Sequence, residues 1–148
     1  MLGRICLVSL LMTAPACGSS PSAPSAQFPN LIGAWSGTLN INSGTNICSY
    51  TWSITSQAGG SFFDSYQAAG TCRLSNGEVS GTVTEAGAFS VGALLPLDNV
   101  CTRLAGGTTT GMVSGSVVSA TSSETQRCNT PTGPFEFTRT YALSLTKS

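Results

Sequence analysis

The sequence contains no histidine and few charged residues. Its 148 residues include 6 Lys and Arg against 6 Asp and Glu, so the formal net charge is zero. Without histidine, the Ser–His–Asp and Cys–His mechanisms of nucleophilic catalysis are excluded. The charges form neither a basic stripe for nucleic acid nor an acidic tail, and no glycine-rich loop has phosphate-binding spacing. We therefore expect no enzyme, no cofactor and no nucleic-acid partner.

The cysteines also lack the spacing of a metal or redox site. No C-x-x-C pair occurs, and a zinc site would need an all-cysteine set drawn from widely separated strands. Structural zinc ligands are normally closely paired in sequence. We therefore expect no metal.

The N-terminal apolar run is too short to cross a bilayer, which needs about 20 apolar residues. Arg4 precedes the run at residues 5–12, and small residues follow it at Ala14 and Ala16 before Cys17. This pattern is typical of a secretory signal peptide, here residues 1–16. The stretch resembles the lipobox of bacterial lipoproteins, in which the cysteine becomes the lipidated first residue of the mature chain. Ala14 stands where leucine is usual, so ordinary cleavage near Ala16 is the alternative.

Residues 17–30 combine the candidate lipidated cysteine with a segment rich in serine and proline. Residues 18–30 have no charge and no apolar periodicity, as expected of a disordered tether. The lipobox resemblance implies a lipid-anchored protein of the bacterial cell envelope. Because Gly18, and not Asp, follows Cys17, it implies the outer membrane. A soluble periplasmic or secreted protein is the alternative.

Residues 31–146 show the alternation of β-strands and no apolar residues at helical spacing. In residues 31–41, Trp35 lies on the apolar face between Gly33 and Gly37. Similar alternation recurs in seven to nine segments, separated by Gly, Asn or Ser turns. This spacing predicts a single all-β domain, either a sandwich or a barrel, which we expect to be a monomer.

Four cysteines in this domain predict two disulfides, because the chain is exported. If the hairpin after residue 47 turns around Gly60, opposite residue numbers sum to 120. That register pairs Cys48 with Cys72, Tyr50 with Gly70, Trp52 with Ala68, and Ile54 with Tyr66. Large residues then face small ones, and the opposed cysteines can bridge. By elimination, Cys101 pairs with Cys128.

Two charged residues fall on predicted apolar faces. Asp64 is in phase with Phe62. It is either a functional group, as a ligand contact or an acid, or it stays solvated near its hairpin end. Arg139 is in phase with the apolar residues of the last strand. A guanidinium there needs acceptors or an aromatic ring. The ring that we expect it to cover is Trp35.

Gly33, Trp35 and Arg139 together resemble the pattern of the calycin superfamily, which contains lipocalins, fatty-acid-binding proteins and avidins. The layout is also similar to that of small bacterial lipocalin-like lipoproteins. The resemblance implies a single antiparallel up-and-down β-barrel of about eight strands. In it the tryptophan closes one end and the arginine packs across it. Avidins carry Asn where this chain has Gly37, so biotin binding is not expected.

The resemblance and the inward residues favour a module that binds a small apolar molecule. Inward small residues leave room for it, namely Gly37, Ala68, Gly70, Gly81, Ala93, Gly111 and Gly115. The expected lining residues are Tyr50, Trp52, Phe62, Tyr66, Phe89 and Tyr141. The alternative is a filled core in an envelope structural or protein-interaction domain that acts through loops such as residues 95–100. An isomerase or cyclase using Asp64, Arg139 or a tyrosine is the least favoured.

Overall fold

The computed structural model describes residues 26–44, 46–72 and 75–148, with the side chain of Asp64 outside that description. Every regular element in these ranges is a β-strand, which confirms the predicted all-β class. The strands are β1 (Gly33–Ile41), β2 (Asn46–Ala58), β3 (Ser61–Gly70), β4 (Ser75–Val83), β5 (Ala88–Val91), β6 (Cys101–Gly106), β7 (Thr109–Ser114), β8 (Val117–Thr130) and β9 (Gly133–Lys147). The predicted signal peptide, Cys17 and most of the tether lie outside the described residues.

All strand pairs are antiparallel, and they form one sheet that closes on itself. The order is β6-β8-β7-β5-β4-β3-β2-β1-β9, and β9 pairs with β8 as well as with β1. Eight strands therefore form a ring, with β6 attached to β8. The strand β8 changes neighbour along its length, because Thr121 lies opposite Thr110 of β7 whereas Cys128 lies opposite Cys101 of β6.

Alternate residues of the eight strands in the ring point inward and form one core. In β1 the buried residues are Trp35, Leu39 and Ile41, and in β9 they are Tyr141, Leu143 and Leu145. Period-two alternation produces this arrangement, since successive side chains of a strand point to opposite faces. The outer face carries mainly Ser and Thr, as the sequence alternation predicted.

Both predicted disulfides, Cys48–Cys72 and Cys101–Cys128, are present. The register predicted for the first hairpin is wrong by two residues, because Cys48 lies opposite Gly70 and Trp52 opposite Tyr66. A two-residue turn at Gly59 and Gly60 moves the pairing by one residue. A bulge between Ser53 and Ser56 moves it by another. Cys72 thus lies beyond β3 and bridges to Cys48 across a Cα–Cα distance of 5.5 Å.

Two inward glycines do not leave the free space that the sequence predicted. A Cβ atom on Gly37 would lie 2.0 Å from the backbone oxygen of Ser144, and one on Gly111 would lie 2.1 Å from that of Ser119. Neighbouring strands therefore approach closely at these positions, and only glycine fits.

Candidate binding cleft at the two-ended ring

One end of the ring, which we name the closed end, is sealed around Trp35. Its side chain is fully buried, and its Nε1 donates a hydrogen bond to the Leu31 carbonyl oxygen at 2.7 Å. The Leu31 backbone N–H donates in turn to Gln57 Oε1 at 2.7 Å. Lys147 Nζ lies 5.4 Å from the Trp35 ring centroid and donates to the Asn30 carbonyl oxygen at 3.0 Å. The segment preceding β1 therefore crosses and seals this end.

The predicted contact between Arg139 and Trp35 is wrong. The residue of β9 opposite Trp35 is Lys147, eight positions beyond Arg139. At a rise of about 3.4 Å per residue, eight positions correspond to about 27 Å along the strand. The Arg139 guanidinium carbon lies instead 4.9 Å from the Phe137 ring centroid. The sequence phase identified the correct face of β9 but not the end of the ring.

The aromatic residues predicted to line a ligand space lie in the packed core. Trp52 contacts Phe89 edge-on with centroids 5.9 Å apart, and Phe62 at 6.3 Å. Tyr50 stacks on Tyr66 at 5.4 Å. All six predicted residues are buried, namely Tyr50, Trp52, Phe62, Tyr66, Phe89 and Tyr141. They pack against one another and their neighbours, and none of them lines the cleft described below.

Tyr50 connects this core to the loop between β5 and β6. Its hydroxyl donates a hydrogen bond to the Leu94 carbonyl oxygen at 2.8 Å, and Leu94 is 2% exposed. Burial raises the pKa of the Tyr50 hydroxyl far above its ordinary value, so this group stays protonated. This hydrogen bond holds the loop over the core, and the loop separates the core from the cleft.

A cleft of about 630 Å³ lies at the opposite end, which we name the open end. Phe135, Phe137 and Arg139 of β9 form one wall, and residues 95–98 of the β5–β6 loop also line the cleft. Residues at the ends of the β1–β2 and β3–β4 hairpins complete it. From the sequence, a cavity inside the ring was expected to distinguish a ligand-binding protein from a filled one. This cleft lies at the end of the ring, and of its lining the sequence analysis had singled out Arg139 and the loop at residues 95–100, for other roles.

The β9 wall presents an exposed aromatic stack. Phe135 is 49% exposed, and its ring stacks on Phe137 with centroids 5.3 Å apart and an interplanar angle of 20°. These residues lie on the β8–β9 hairpin, which the Cys101–Cys128 disulfide ties to β6 near its turn, at the position opposite Phe135. The wall therefore rests on a braced hairpin, not on a long free loop.

A buried carboxylate that sequence reasoning missed lies next to this wall. Glu124 is 3% exposed and is opposite Arg139 in the β8–β9 register. Its Oε1 accepts hydrogen bonds from the Tyr141 hydroxyl and Gln126 Nε2, and its Oε2 accepts from Arg103 Nε at 2.6 Å. The sequence did contain a signal for this burial. Glu124 is four residues before Cys128, so the two side chains share one face of β8, and the disulfide-bonded Cys128 is buried on that face.

The ionised form of Glu124 is favoured. Burial acts to raise the pKa of this carboxyl, but the hydrogen bonds from Tyr141 and Arg103, with the Arg103 charge, outweigh it. The pKa of Glu124 is therefore below its ordinary value. Burial and the bond to Glu124 raise the pKa of the Tyr141 hydroxyl, which remains a donor. The Glu124 carboxylate thus already accepts three hydrogen bonds from within the protein.

Two further polar groups bear on the cleft. Ser75 lines it, and the buried Ser75 Oγ has no hydrogen-bond partner among the described residues. Asp98 lines it at an exposed position. The backbone of Asp64 lies opposite Val79 in β4, and its predicted role stays a prediction. Within the described ranges, no group of three or more Cys, Asp or Glu residues is arranged to hold a metal ion.

The cleft offers an aromatic stack and a guanidinium that a ligand could contact, and the carboxylate beside it, Glu124, is engaged by three donors. None of the described residues forms a helix long and apolar enough to span a bilayer. Comparisons with family models, with curated proteins and with solved structures give no match to this chain.

Proposed function

We propose that this chain is an exported, non-catalytic binding protein whose open-end cleft takes a small, largely apolar molecule. The observation that carries the proposal is the cleft of about 630 Å³ whose wall carries a half-exposed Phe135 stacked on a partly buried Phe137. Small-molecule sites usually have volumes of about 300–1,000 Å³ and are lined by apolar and aromatic side chains. An exposed aromatic stack has no role in the packed core, so a ligand is the better explanation.

We propose further that the ring is an up-and-down β-barrel of the calycin type. The eight-stranded closed order and the burial of Trp35 at one end support this assignment. The cation over Trp35 is Lys147, whereas the resemblance would place Arg139 there. The proposal therefore depends on strand order and on Trp35 and not on the full three-residue pattern.

Lipidation at Cys17 and an outer-membrane location are part of the same proposal. The chain enters the domain at the closed end, where Leu31 packs over the core. An anchor preceding residue 26 would attach at that end, and the cleft would open on the side away from it. Intact mass measurement of protein extracted from membranes tests the anchor. Cys17→Ala is expected to shift the protein to the soluble fraction, and continued membrane retention would contradict it.

Ligand binding is tested with N-phenyl-1-naphthylamine, a neutral apolar dye whose fluorescence rises in apolar sites. We expect saturable binding at one site per chain, displaced by members of a fatty-acid and terpenoid panel. Phe135→Ala should weaken binding by roughly tenfold, since aromatic contacts contribute about 0.5–1.5 kcal/mol beyond area burial.

The matched control is Phe63→Ala. Phe63 lies on the outer face of β3 and is 50% exposed, against 49% for Phe135. The proposal requires binding to be unchanged in this variant. Equal weakening in both variants, or no saturable binding in the parent chain, would contradict a ligand site in the cleft.

An interaction domain is the second candidate, favoured by the free edge of β6. Among the residues that the structure describes, this strand pairs with β8 alone, and Leu104 within it and Val100 before it are 45% and 57% exposed. Exposed strand edges readily pair with other chains. Crosslinking in cells from a photoreactive group at residue 104 should then capture a partner, whereas the same group at residue 63 should not.

A further inference from the structure

We propose that the ligand of the open-end cleft is an aromatic anion, with its negative group paired to Arg139 and its flat ring against Phe135 and Phe137. This inference rests on the proposed binding function and adds the chemical class of the ligand. It also gives Arg139 a role different from the closure role implied by the calycin resemblance.

The first observation is the position of the Arg139 cation. It lines the cleft, is only partly exposed, and takes part in no ion pair among the described residues. A guanidinium withdrawn from water needs acceptors, and its five donors can engage an oxyanion in a two-point contact. Phe137 stacks on one face of the group, and the Tyr141 hydroxyl is a hydrogen-bond partner of it, but neither carries a negative charge. An anionic ligand provides that charge.

The nearest carboxylate does not neutralise this cation. Glu124 lies opposite Arg139, but it is paired with Arg103 and also accepts from Tyr141 and Gln126. The cluster thus holds two arginines for one buried carboxylate. Asp98, also in the cleft lining, is exposed to solvent, where charge interactions are weakened by water. A positive excess therefore remains at the inner part of the β9 wall.

The second observation is the geometry of the stack. Phe135, Phe137 and Arg139 follow one another on one face of β9, each in contact with the next. Arranged in this order, they present an apolar ring surface that ends in a cation. Flat rings pack on such a surface in offset or edge-on geometry, and the anionic substituent then reaches the guanidinium.

The third observation is the polar remainder of the cleft. Ser75 Oγ is buried without a partner among the described residues, and Asn46 and Thr71 also line the space. A purely apolar molecule would leave the buried Ser75 Oγ unpaired, at a cost in free energy, whereas the Thr71 hydroxyl already donates to the Ile47 carbonyl oxygen. A ligand with an anionic group and further polar atoms matches the cleft better.

The test compares two fluorescent probes of similar shape. The first is 1-anilinonaphthalene-8-sulfonate, an aryl sulfonate, and the second is the neutral N-phenyl-1-naphthylamine. We expect the parent chain to bind the anion at least tenfold more tightly. Arg139→Gln should weaken anion binding by roughly tenfold or more, as for loss of a charged hydrogen bond, and change neutral binding by less than about twofold.

Arg127→Gln is the matched control, since Arg127 pairs with Glu136 on the outer face of the same hairpin. It removes the same net charge, and anion binding should not change. Equal weakening by both substitutions would overturn the proposal, because the effect would then come from overall charge. Arg139→Lys keeps the positive charge but not the planar guanidinium with its two-point contact, so its affinity for the anionic probe should be intermediate. It also serves as the test variant if Arg139→Gln does not fold.

Displacement distinguishes the aromatic part of the proposal. The anions 1-naphthoate and decanoate have similar size and equal charge, and 1-naphthoate should displace the sulfonate probe at a lower concentration. Equal displacement by decanoate would overturn the aromatic class. Tight binding of the neutral probe without preference for the anion would overturn this inference and leave the proposed function standing. Absence of binding by both probes would overturn the proposed function itself.

Discussion

The two ends of the ring use aromatic and cationic side chains in opposite ways. At the closed end, Trp35 is fully buried and Lys147 lies over its ring, with both groups hydrogen-bonded to the chain segment that precedes β1. At the open end, Phe135 is half exposed and Arg139 lies over Phe137 beside a cleft. One cation–aromatic pair thus seals the core, and the other faces solvent.

The difference shows that a cation over an aromatic ring does not identify a function by itself. Lys147 donates to a backbone carbonyl within the protein, so its charge is already partnered. The wall around Arg139 leaves a space in front of it, and the adjacent carboxylate is engaged elsewhere. The polar partners and the free volume distinguish a structural pair from a candidate binding pair.

The closed end should contribute most to stability. Trp35→Ala is expected to lower the free energy of unfolding by about 3–5 kcal/mol, the usual cost of removing a buried tryptophan from a core. Urea unfolding followed by circular dichroism measures this loss. The exposed Ile32, which is adjacent to the same seal, provides the control, and Ile32→Ala should cost below about 0.5 kcal/mol. A loss near 1 kcal/mol for Trp35→Ala would contradict the sealing role.

The buried ion pair is the open-end feature with the next largest expected effect. Arg103→Ala should lower the free energy of unfolding by about 3 kcal/mol, because Glu124 would be left as an uncompensated buried charge. The double change Arg103→Met with Glu124→Met should recover much of this loss. Chemical unfolding at neutral pH measures both variants against the parent chain.

Arg127 of β8 and Glu136 of β9 provide the exposed counterpart, with side chains 53% and 49% exposed. Arg127→Ala should change the free energy of unfolding by less than about 1 kcal/mol, as is usual for surface pairs. Equal losses for Arg103→Ala and Arg127→Ala would show that burial at the open end is less complete than the structure indicates.

Acid should weaken the open end through Glu124. Its pKa is lowered in the folded state, so it contributes stability above its unfolded pKa, about 4.5 for an ordinary glutamate. That contribution is lost as the pH falls through the lower, folded pKa. Melting temperatures measured between about pH 6 and pH 2 should fall more steeply for the parent chain than for Glu124→Gln. Parallel curves would show that Glu124 does not carry this linkage.

The sequence predicted well which face of each strand points inward, but it did not predict which residues of neighbouring strands lie opposite each other. Period-two alternation identified the inward sides of β1, β2 and β9. The pair Cys48–Cys72 was predicted correctly from a hairpin register that is wrong by two residues, and Cys101–Cys128 followed by elimination. The alternation could not show that Trp35 faces Lys147 and not Arg139, since a phase is the same at every second residue of a 15-residue strand. The register between strands depends on turn lengths and bulges, such as the bulge after Ser53.

The cleft was beyond sequence prediction for a different reason. It forms between the β8–β9 hairpin and the β5–β6 loop, and residues 92–100 of that loop have no regular strand pattern. Glu124 was missed because β8 changes its neighbour from β7 to β6 midway, which obscures which of its residues face inward. Long-range contacts, and not local pattern, determine both features.

The smallest expected effect is the loss of stability in Phe135→Ala. A half-exposed phenylalanine at the open end contributes little to the core, so the free energy of unfolding should change by less than about 0.5 kcal/mol. Urea unfolding measures it beside Phe62→Ala, a buried core change that should cost about 3 kcal/mol. A large loss of unfolding free energy in Phe135→Ala would show that the stack belongs to the core, and the contrast between the two ends would then not hold. A negligible loss leaves ligand contact as the reason for an apolar ring in water at the edge of the cleft.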